Sequence, residues 1–260
     1  MIHISDRFDA GNIVVRDLAS DELRLAIRPD VGNEHMQWFY FRVAGARGRE
    51  LRWRLENAGE ASYPKGWPGY RVCASYNRED WFRVETAYED GELVVTHEVT
   101  EDLVWYAYFA PYSWQRHERV VANTTAAVDV LTATLDGRPI DRLIHGHGEV
   151  PVWIIARQHP GESMAEWLVE GLLERLDDPA DALARALKER ATFHIVPNMN
   201  PDGSVRGHLR TNAAGKNLNR VWADPQTETE PEVHAVRAAM DASGVAVCLD
   251  VHGDEALPYN

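Results

Sequence analysis

The sequence predicts an α/β protein in two parts, an antiparallel β-sandwich followed by an α/β domain. Three observations predict it. Over the first 110 residues, short runs rich in Val, Ile, Trp, Tyr and Phe are separated by turn residues. After Pro111, strand-like runs alternate with helical patterns, as in an α/β sheet. The last three strand runs are almost continuously apolar, the mark of strands covered on both faces.

The elements follow in order. Eight strands are predicted at 12–16, 23–28, 36–43, 50–56, 70–75, 81–87, 92–99 and 103–109, a spacing that suits a sandwich. Turns such as Gly45-Ala46-Arg47-Gly48 and Glu89-Asp90-Gly91 divide them. The aromatic clusters Trp38-Phe39-Tyr40-Phe41 and Trp105-Tyr106-Ala107-Tyr108-Phe109 are expected to fill its core. Further strands are predicted at 130–135, 140–145, 151–157, 192–197 and 245–251, and helices at 113–122, 162–176, 180–189 and 230–242. Leu168, Leu172, Leu173 and Leu176 recur at helical spacing and are expected to form one core face. The domain boundary falls at 111/112, giving domains 1–111 and 112–260.

Composition narrows the function. The 260 residues are 45% hydrophobic and 26% charged, which excludes a disordered chain. Lys plus Arg total 27 against 41 Asp plus Glu, a net charge of -14, which argues against nucleic acid as a partner. No run of 18 apolar residues exists, so no membrane span is expected. Met1-Ile2-His3-Ile4-Ser5-Asp6-Arg7 lacks the pattern of a secretion signal. Cys73 and Cys248 are far apart. Cys248 lies in an apolar run and reads as a buried thiol, and a reducing, cytoplasmic setting is expected. Asn123-Thr124-Thr125 then reads as a chance match to a glycosylation acceptor.

The chemistry-bearing residues sit at strand ends. Run 151–157 leads into His159-Pro160-Gly161-Glu162, where a sharp Pro-Gly turn can aim His and Glu at one ion. His252 closes the last apolar run, 93 positions after His159. Two His and one Glu form the ligand set of an open zinc site, with water in the fourth position. Such an ion makes water a competent nucleophile and polarises a carbonyl. Between them lie Asn198-Met199-Asn200-Pro201-Asp202-Gly203, Gly207-His208-Leu209-Arg210-Thr211-Asn212 and Gly215-Lys216-Asn217-Leu218-Asn219-Arg220, a polar loop able to clamp a carboxylate and stabilise an oxyanion.

This ordered set resembles the zinc carboxypeptidase family, and more closely its cytosolic carboxypeptidase branch, whose animal members trim glutamates from tubulin and other tails. In that branch a β-sandwich precedes a peptidase domain with a mixed sheet. Phe109-Ala110-Pro111-Tyr112-Ser113 resembles the junction. The resemblance implies one zinc ion held by His159, Glu162 and His252. It gives Arg210 the catalytic role of polarising the scissile carbonyl and stabilising the oxyanion. Asn219 and Arg220 would hold the terminal carboxylate of a peptide or protein substrate, with acidic residues one candidate class. Where many members carry Asp against a ligand histidine, this chain has Asn217. The family's general-base Glu and a substrate-contacting Tyr are expected beyond Asn260. Glu255 and Tyr259 carry the right side chains in the wrong place. The chain therefore reads as truncated, expected to bind zinc without turning over peptide. The rival readings are an N-acyl amino acid amidohydrolase of the succinylglutamate desuccinylase and aspartoacylase type, which shares His-x-x-Glu, a later His and an Asn-Arg pair, and an inactive zinc-binding fragment.

Two other histidine clusters weigh against themselves. His145-Gly146-His147-Gly148 reads as a structural loop rather than a second metal site. His97-Glu98-Val99-Thr100-Glu101 lacks the second His of a helical zinc motif. No Gly-x-Ser-x-Gly elbow or phosphate-binding Gly-Lys-Ser/Thr loop is present, which argues against serine hydrolases and nucleotide enzymes.

Overall fold

The computed structural model describes residues 2–18 and 22–254. These form two compact units. One holds the residues through Pro111 together with Val205–Leu209 and Asp254, and the other holds Tyr112–Ser204 and Arg210–Gly253.

The first unit has two five-stranded sheets. One runs β1 (His3–Ser5), β4 (Tyr40–Ala44), β10 (Leu103–Ala107), β6 (Cys73–Ser75) and β7 (Phe82–Arg83). The other runs β2 (Val14–Asp17), β3 (Glu22–Ala26), β5 (Arg49–Leu55), β9 (Glu92–Val99) and β8 (Glu85–Glu89). Pairing is antiparallel except between β3 and β5, which lie parallel because the chain visits β4 of the other sheet between them. Strand β5 shows the period-two logic: Leu51, Trp53 and Leu55 are buried while Arg52 between them is exposed. The expected aromatic core is present. Trp53 packs edge-on against Phe41 and Tyr106, each with ring centroids 5.2 Å away. Residues 36–39 are buried without being a strand, and the Gln37 side chain there bonds Tyr63 and the Tyr108 hydroxyl. The run 81–87 splits at Val84, because its two halves pair in different sheets.

The second unit is built on one mixed sheet in the order β11 (Ala127–Ala133), β12 (Pro139–Gly146), β14 (Ala191–Val196), β13 (Val150–Ala156) and β15 (Val247–Val251). Strands β13, β14 and β15 are mutually parallel, and β12 runs antiparallel to both its neighbours, β11 and β14. The helices are α1 (Trp114–Asn123), α2 (Met164–Asp177), α3 (Ala182–Arg190), the short α4 (Pro201–Arg206) and α5 (Pro231–Ser243). Ser113 caps α1 by accepting from the Arg116 amide, and Asp181 caps α3 by accepting from Leu183 and Ala184. Two apolar clusters sandwich the sheet. One contains Ala165, Val169, Leu173 and Leu176 of α2, and the other contains Val233 and Val236 of α5.

Three expectations are corrected here. Leu168 is 55% exposed and Leu172 only partly buried: the buried stripe of α2 runs Ala165, Val169, Leu173, Leu176, so two of the four leucines lie on it. Strand β15 is not covered on both faces. It is the edge of the described sheet, and Val247 and Leu249 are about half exposed. Cys248 on that strand is exposed among the described residues, where a buried thiol was expected.

Candidate metal centre

The centre is assembled at the carboxyl ends of β13 and β15, where ligands bind in open parallel sheets. The chain leaves β13 through Arg157, whose φ is +55°, then Gln158 and the turn His159–Glu162 before α2 begins. His252 follows β15 directly. His159 and Glu162 are buried, and His252 is partly exposed.

One donor atom from each of His159, Glu162 and His252 lies within 4.8 Å of the others. Among the described residues this is the one such group of His, Cys, Asp or Glu side chains. His159 Nδ1 is 2.8 Å from Glu162 Oε1, and His252 Nδ1 is 2.8 Å from Glu162 Oε2. The Gly253 amide also donates to Glu162 Oε2. Burial opposes the charge of Glu162, but the bonds from His159 and His252 hold its pKa down to about 2. Hydrogen bonds to Asp250 and Glu162 lift His252 to about 9. An ionised carboxylate and an imidazole driven toward its cation mark a pocket that favours positive charge. Two imidazole nitrogens and a carboxylate converging from one side fit zinc.

The far ring nitrogens are engaged too. His159 Nε2 faces Asn217 Oδ1 at 3.1 Å, and His252 Nε2 faces Asp250 Oδ2 at 3.0 Å. An N–H donated from Nε2 fixes the tautomer that leaves Nδ1 free to ligate. Asp250 is held in turn by Gln158 Nε2 at 2.7 Å, and the Trp222 indole donates to Gln158 Oε1 at 2.8 Å. The sequence reading gave Asp250, Gln158 and Trp222 no role of their own. A signal for Asp250 existed: two residues before His252 at a strand end, it shares that histidine's face.

The polar loop 198–220 supports the turn. Asn200 Nδ2 donates to the Gln158 carbonyl, and its Oδ1 accepts from the Gly203 amide. A Cβ at Gly203 would stand 2.4 Å from Pro160 Cγ and 2.5 Å from the Thr211 carbonyl, so only glycine lets the loop meet the metal turn. Asp202 is fully buried and accepts from Thr134, the Asp136 amide and Arg138, which ties the loop to the β11–β12 hairpin. Asn217 also caps the 3-10 turn Leu218–Arg220 by accepting from the Asn219 amide.

The other predicted site residues are placed as follows. Asn219 reaches the centre, its Nδ2 3.4 Å from His252 Nε2. Arg220 is exposed and donates to the Asn219 carbonyl. Arg210 is partly buried on the same loop. Glu255 and Tyr259 lie outside the described residues. His145 is buried, bonded to Thr124 and paired with Asp177, and His97 lies within β9 against the Tyr106 hydroxyl.

Comparison with known proteins places this arrangement. Residues 4–109 match the cytosolic carboxypeptidase N-terminal domain, and residues 116–259 match the zinc carboxypeptidase family. A crystal structure of a metallo-carboxypeptidase from Burkholderia cenocepacia superposes with a TM-score of 0.97 at 50% identity, over 99% of this chain and 72% of that one. A metallo-carboxypeptidase from Pseudomonas aeruginosa, solved with (2-guanidinoethylmercapto)succinic acid, gives 0.95 at 45% identity, over 99% of this chain and 71% of that one. Human cytosolic carboxypeptidase 4 is 28% identical over 312 residues, 95% of this chain. The chain spans only 27% of that human protein, against 69% of a Zymomonas mobilis relative to which it is 48% identical. The chain belongs to the zinc carboxypeptidase family, with the N-terminal domain of its cytosolic carboxypeptidase branch.

Proposed function

We propose that the chain is the zinc-binding and substrate-binding part of a metallocarboxypeptidase that hydrolyses the C-terminal peptide bond of peptides or proteins in the cytoplasm. The convergence of His159 Nδ1, Glu162 and His252 Nδ1 carries the reading. These three would hold one zinc ion, which when bound supplies a Lewis acid and a water activated at neutral pH. The chain's own residues do the rest. Asn217 and Asp250 orient the two imidazoles. Arg210 stabilises the charge that develops on the carbonyl oxygen, and Asn219 with Arg220 binds the terminal carboxylate. Holding that carboxylate makes the reaction exopeptidic. No described residue is assigned the general-base role.

The sandwich and the Asn200-Pro201-Asp202-Gly203 element favour this over an N-acyl amino acid amidohydrolase, and over a zinc-binding remnant with no substrate. The match to cytosolic carboxypeptidases supports acidic C-terminal residues as the substrate class. The succinic acid of the Pseudomonas complex carries two carboxylates and a guanidinium, which makes it a probe for the proposed clamp.

Zinc titration with a chelating dye is expected to show one ion per chain, lost in His159→Ala. Binding of the succinic acid is expected to weaken at least tenfold in Arg220→Ala. Peptides ending in Glu, Arg or Leu and N-acyl amino acids, offered to the zinc-loaded protein, separate the substrate classes. Hydrolysis of N-acyl amino acids alone would overturn the peptidase assignment.

A further inference from the structure

Beneath the metal turn lies a cluster of buried charges that the proposed reaction does not use. His117 of α1, Arg157 at the end of β13, and Glu166 of α2 are each at most 3% exposed. His117 Nδ1 is 2.9 Å from Glu166 Oε1, and its Nε2 is 3.2 Å from Asp141 Oδ2 on β12. Both ring nitrogens therefore face carboxylates. Burial opposes its charge, but the bonds to Asp141 and Glu166 raise its pKa to about 9, so it carries a proton on each nitrogen at neutral pH. The Trp114 ring stacks on it at 4.5 Å. Glu166 Oε2 accepts from Arg157 Nη1 at 2.5 Å and from Asn198 Nδ2 at 3.0 Å.

The guanidinium of Arg157 looks toward the metal turn. Its Nε donates to the Pro160 carbonyl at 3.0 Å, and its Nη1 also donates to the Tyr112 carbonyl at 3.0 Å. Pro160 lies between His159 and Glu162. Arg157 itself sits at a φ of +55°, where a side chain with a Cβ is held only if its surroundings insist. A buried ion pair contributes little to stability once desolvation is counted, so stability alone is a weak reason for this one. Its geometry supplies a better reason: with Nη1 fixed on Glu166 and Tyr112, the rigid guanidinium aims Nε at the Pro160 carbonyl, in the turn between two ligands.

We propose that Arg157 and Glu166 are a positioning pair that sets the geometry of the metal turn, with His117 and Asn198 fixing the Glu166 carboxylate. The inference rests on His159, Glu162 and His252 being the metal ligands. Glu166 touches neither metal nor substrate and acts through Arg157.

The test measures zinc affinity of folded protein by chelator competition, together with the visible absorption of the cobalt(II)-substituted protein and the melting temperature of the metal-free chain. Glu166→Gln keeps the shape of the side chain and removes its charge. Its zinc affinity is expected to fall roughly 10- to 100-fold, as for other groups that orient ligands, with a changed cobalt spectrum. Arg157→Lys keeps the charge, loses the fork, and is expected to behave the same way. Asn198→Ala, which leaves the ion pair intact, is expected to lose several-fold and serves if the first two do not fold. A lowered melting temperature with zinc affinity within twofold of wild type and an unchanged cobalt spectrum would overturn the inference while leaving the ligand assignment standing. A wild-type chain that takes up no zinc, or a His159→Ala variant that still does, would overturn the ligand assignment and this inference with it.

Discussion

The two histidines of the centre are backed differently. His159 donates to the neutral amide of Asn217, and His252 to the carboxylate of Asp250. A carboxylate raises the basicity of the imidazole that bonds it more than an amide does. Asn217→Asp is therefore expected to tighten zinc binding several-fold, and Asp250→Asn to weaken it at least tenfold; chelator competition reads both, and equal affinities would remove the argument. Glu232 supplies a pH prediction. It is fully buried at the start of α5, Asn212 is its one side-chain donor at 3.3 Å, and its Oε1 has no hydrogen-bond partner. Burial raises its pKa to about 7. The native state then holds a proton that the unfolded chain releases near pH 4.5, so stability is lost as pH rises from there through 7. Glu232→Gln is expected to stabilise the protein at pH 8 by up to about 3 kcal/mol and to change little at pH 4, as read by urea unfolding. At this scale the sequence was legible where side chain and spacing declared a chemistry, as in His159-Pro160-Gly161-Glu162. Gln158 and Trp222 were not legible, because their roles come only from being brought next to Asp250.

At the scale of elements, period and turn chemistry placed most strands and helices within a few residues, since amphipathic alternation is local. The misses have physical causes. Strand β15 is apolar as a covered strand should be, and is half exposed at the edge of the described sheet. Helix α4 was hidden in Asn200-Pro201-Asp202-Gly203, a motif rich in turn residues; Pro201 is tolerated because it is the helix's first residue. The same motif gives a prediction. Gly203 lies where α4, the metal turn and the Thr211 carbonyl meet, with no room for a Cβ. Gly203→Ala is expected to cost roughly 2 kcal/mol or more of stability and to loosen zinc binding, because either Pro160 or the loop must shift. Thermal melts with and without zinc test this. An unchanged melting temperature would show that the junction yields easily.

At the scale of the whole molecule, the first unit is discontinuous in sequence, and no local pattern announces it. Residues Val205–Leu209 return to it after most of the second unit's sheet has been laid down. They bring specific bonds. The Val205 carbonyl accepts from the Ala10 amide, and the Gly207 carbonyl from Asn12 Nδ2, each at 2.9 Å. His208 Nε2 accepts from the Val31 amide, and Asp30 accepts from the Leu209 amide. Leu209 is buried in the sandwich's apolar core. Gly207, at φ +71°, would press a Cβ to 2.7 Å from the Ala10 carbonyl, so the approach is backbone to backbone. A fragment of residues 1–111 loses all of this. Four hydrogen bonds at about 1 kcal/mol each and one buried leucine at about 2 kcal/mol sum to a large share of a domain's 5–15 kcal/mol. Asn12 and Asp30, both 3% exposed in the whole chain, would also lose partners. The fragment is therefore expected to unfold at clearly lower urea than the sandwich does within the 260-residue chain, followed by hydrogen exchange at the amides of β4 and β5. Joining residues 203–210 to the fragment through a flexible linker is expected to restore part of the difference. Equal protection in fragment and whole chain would show that the first 111 residues fold without the returning segment.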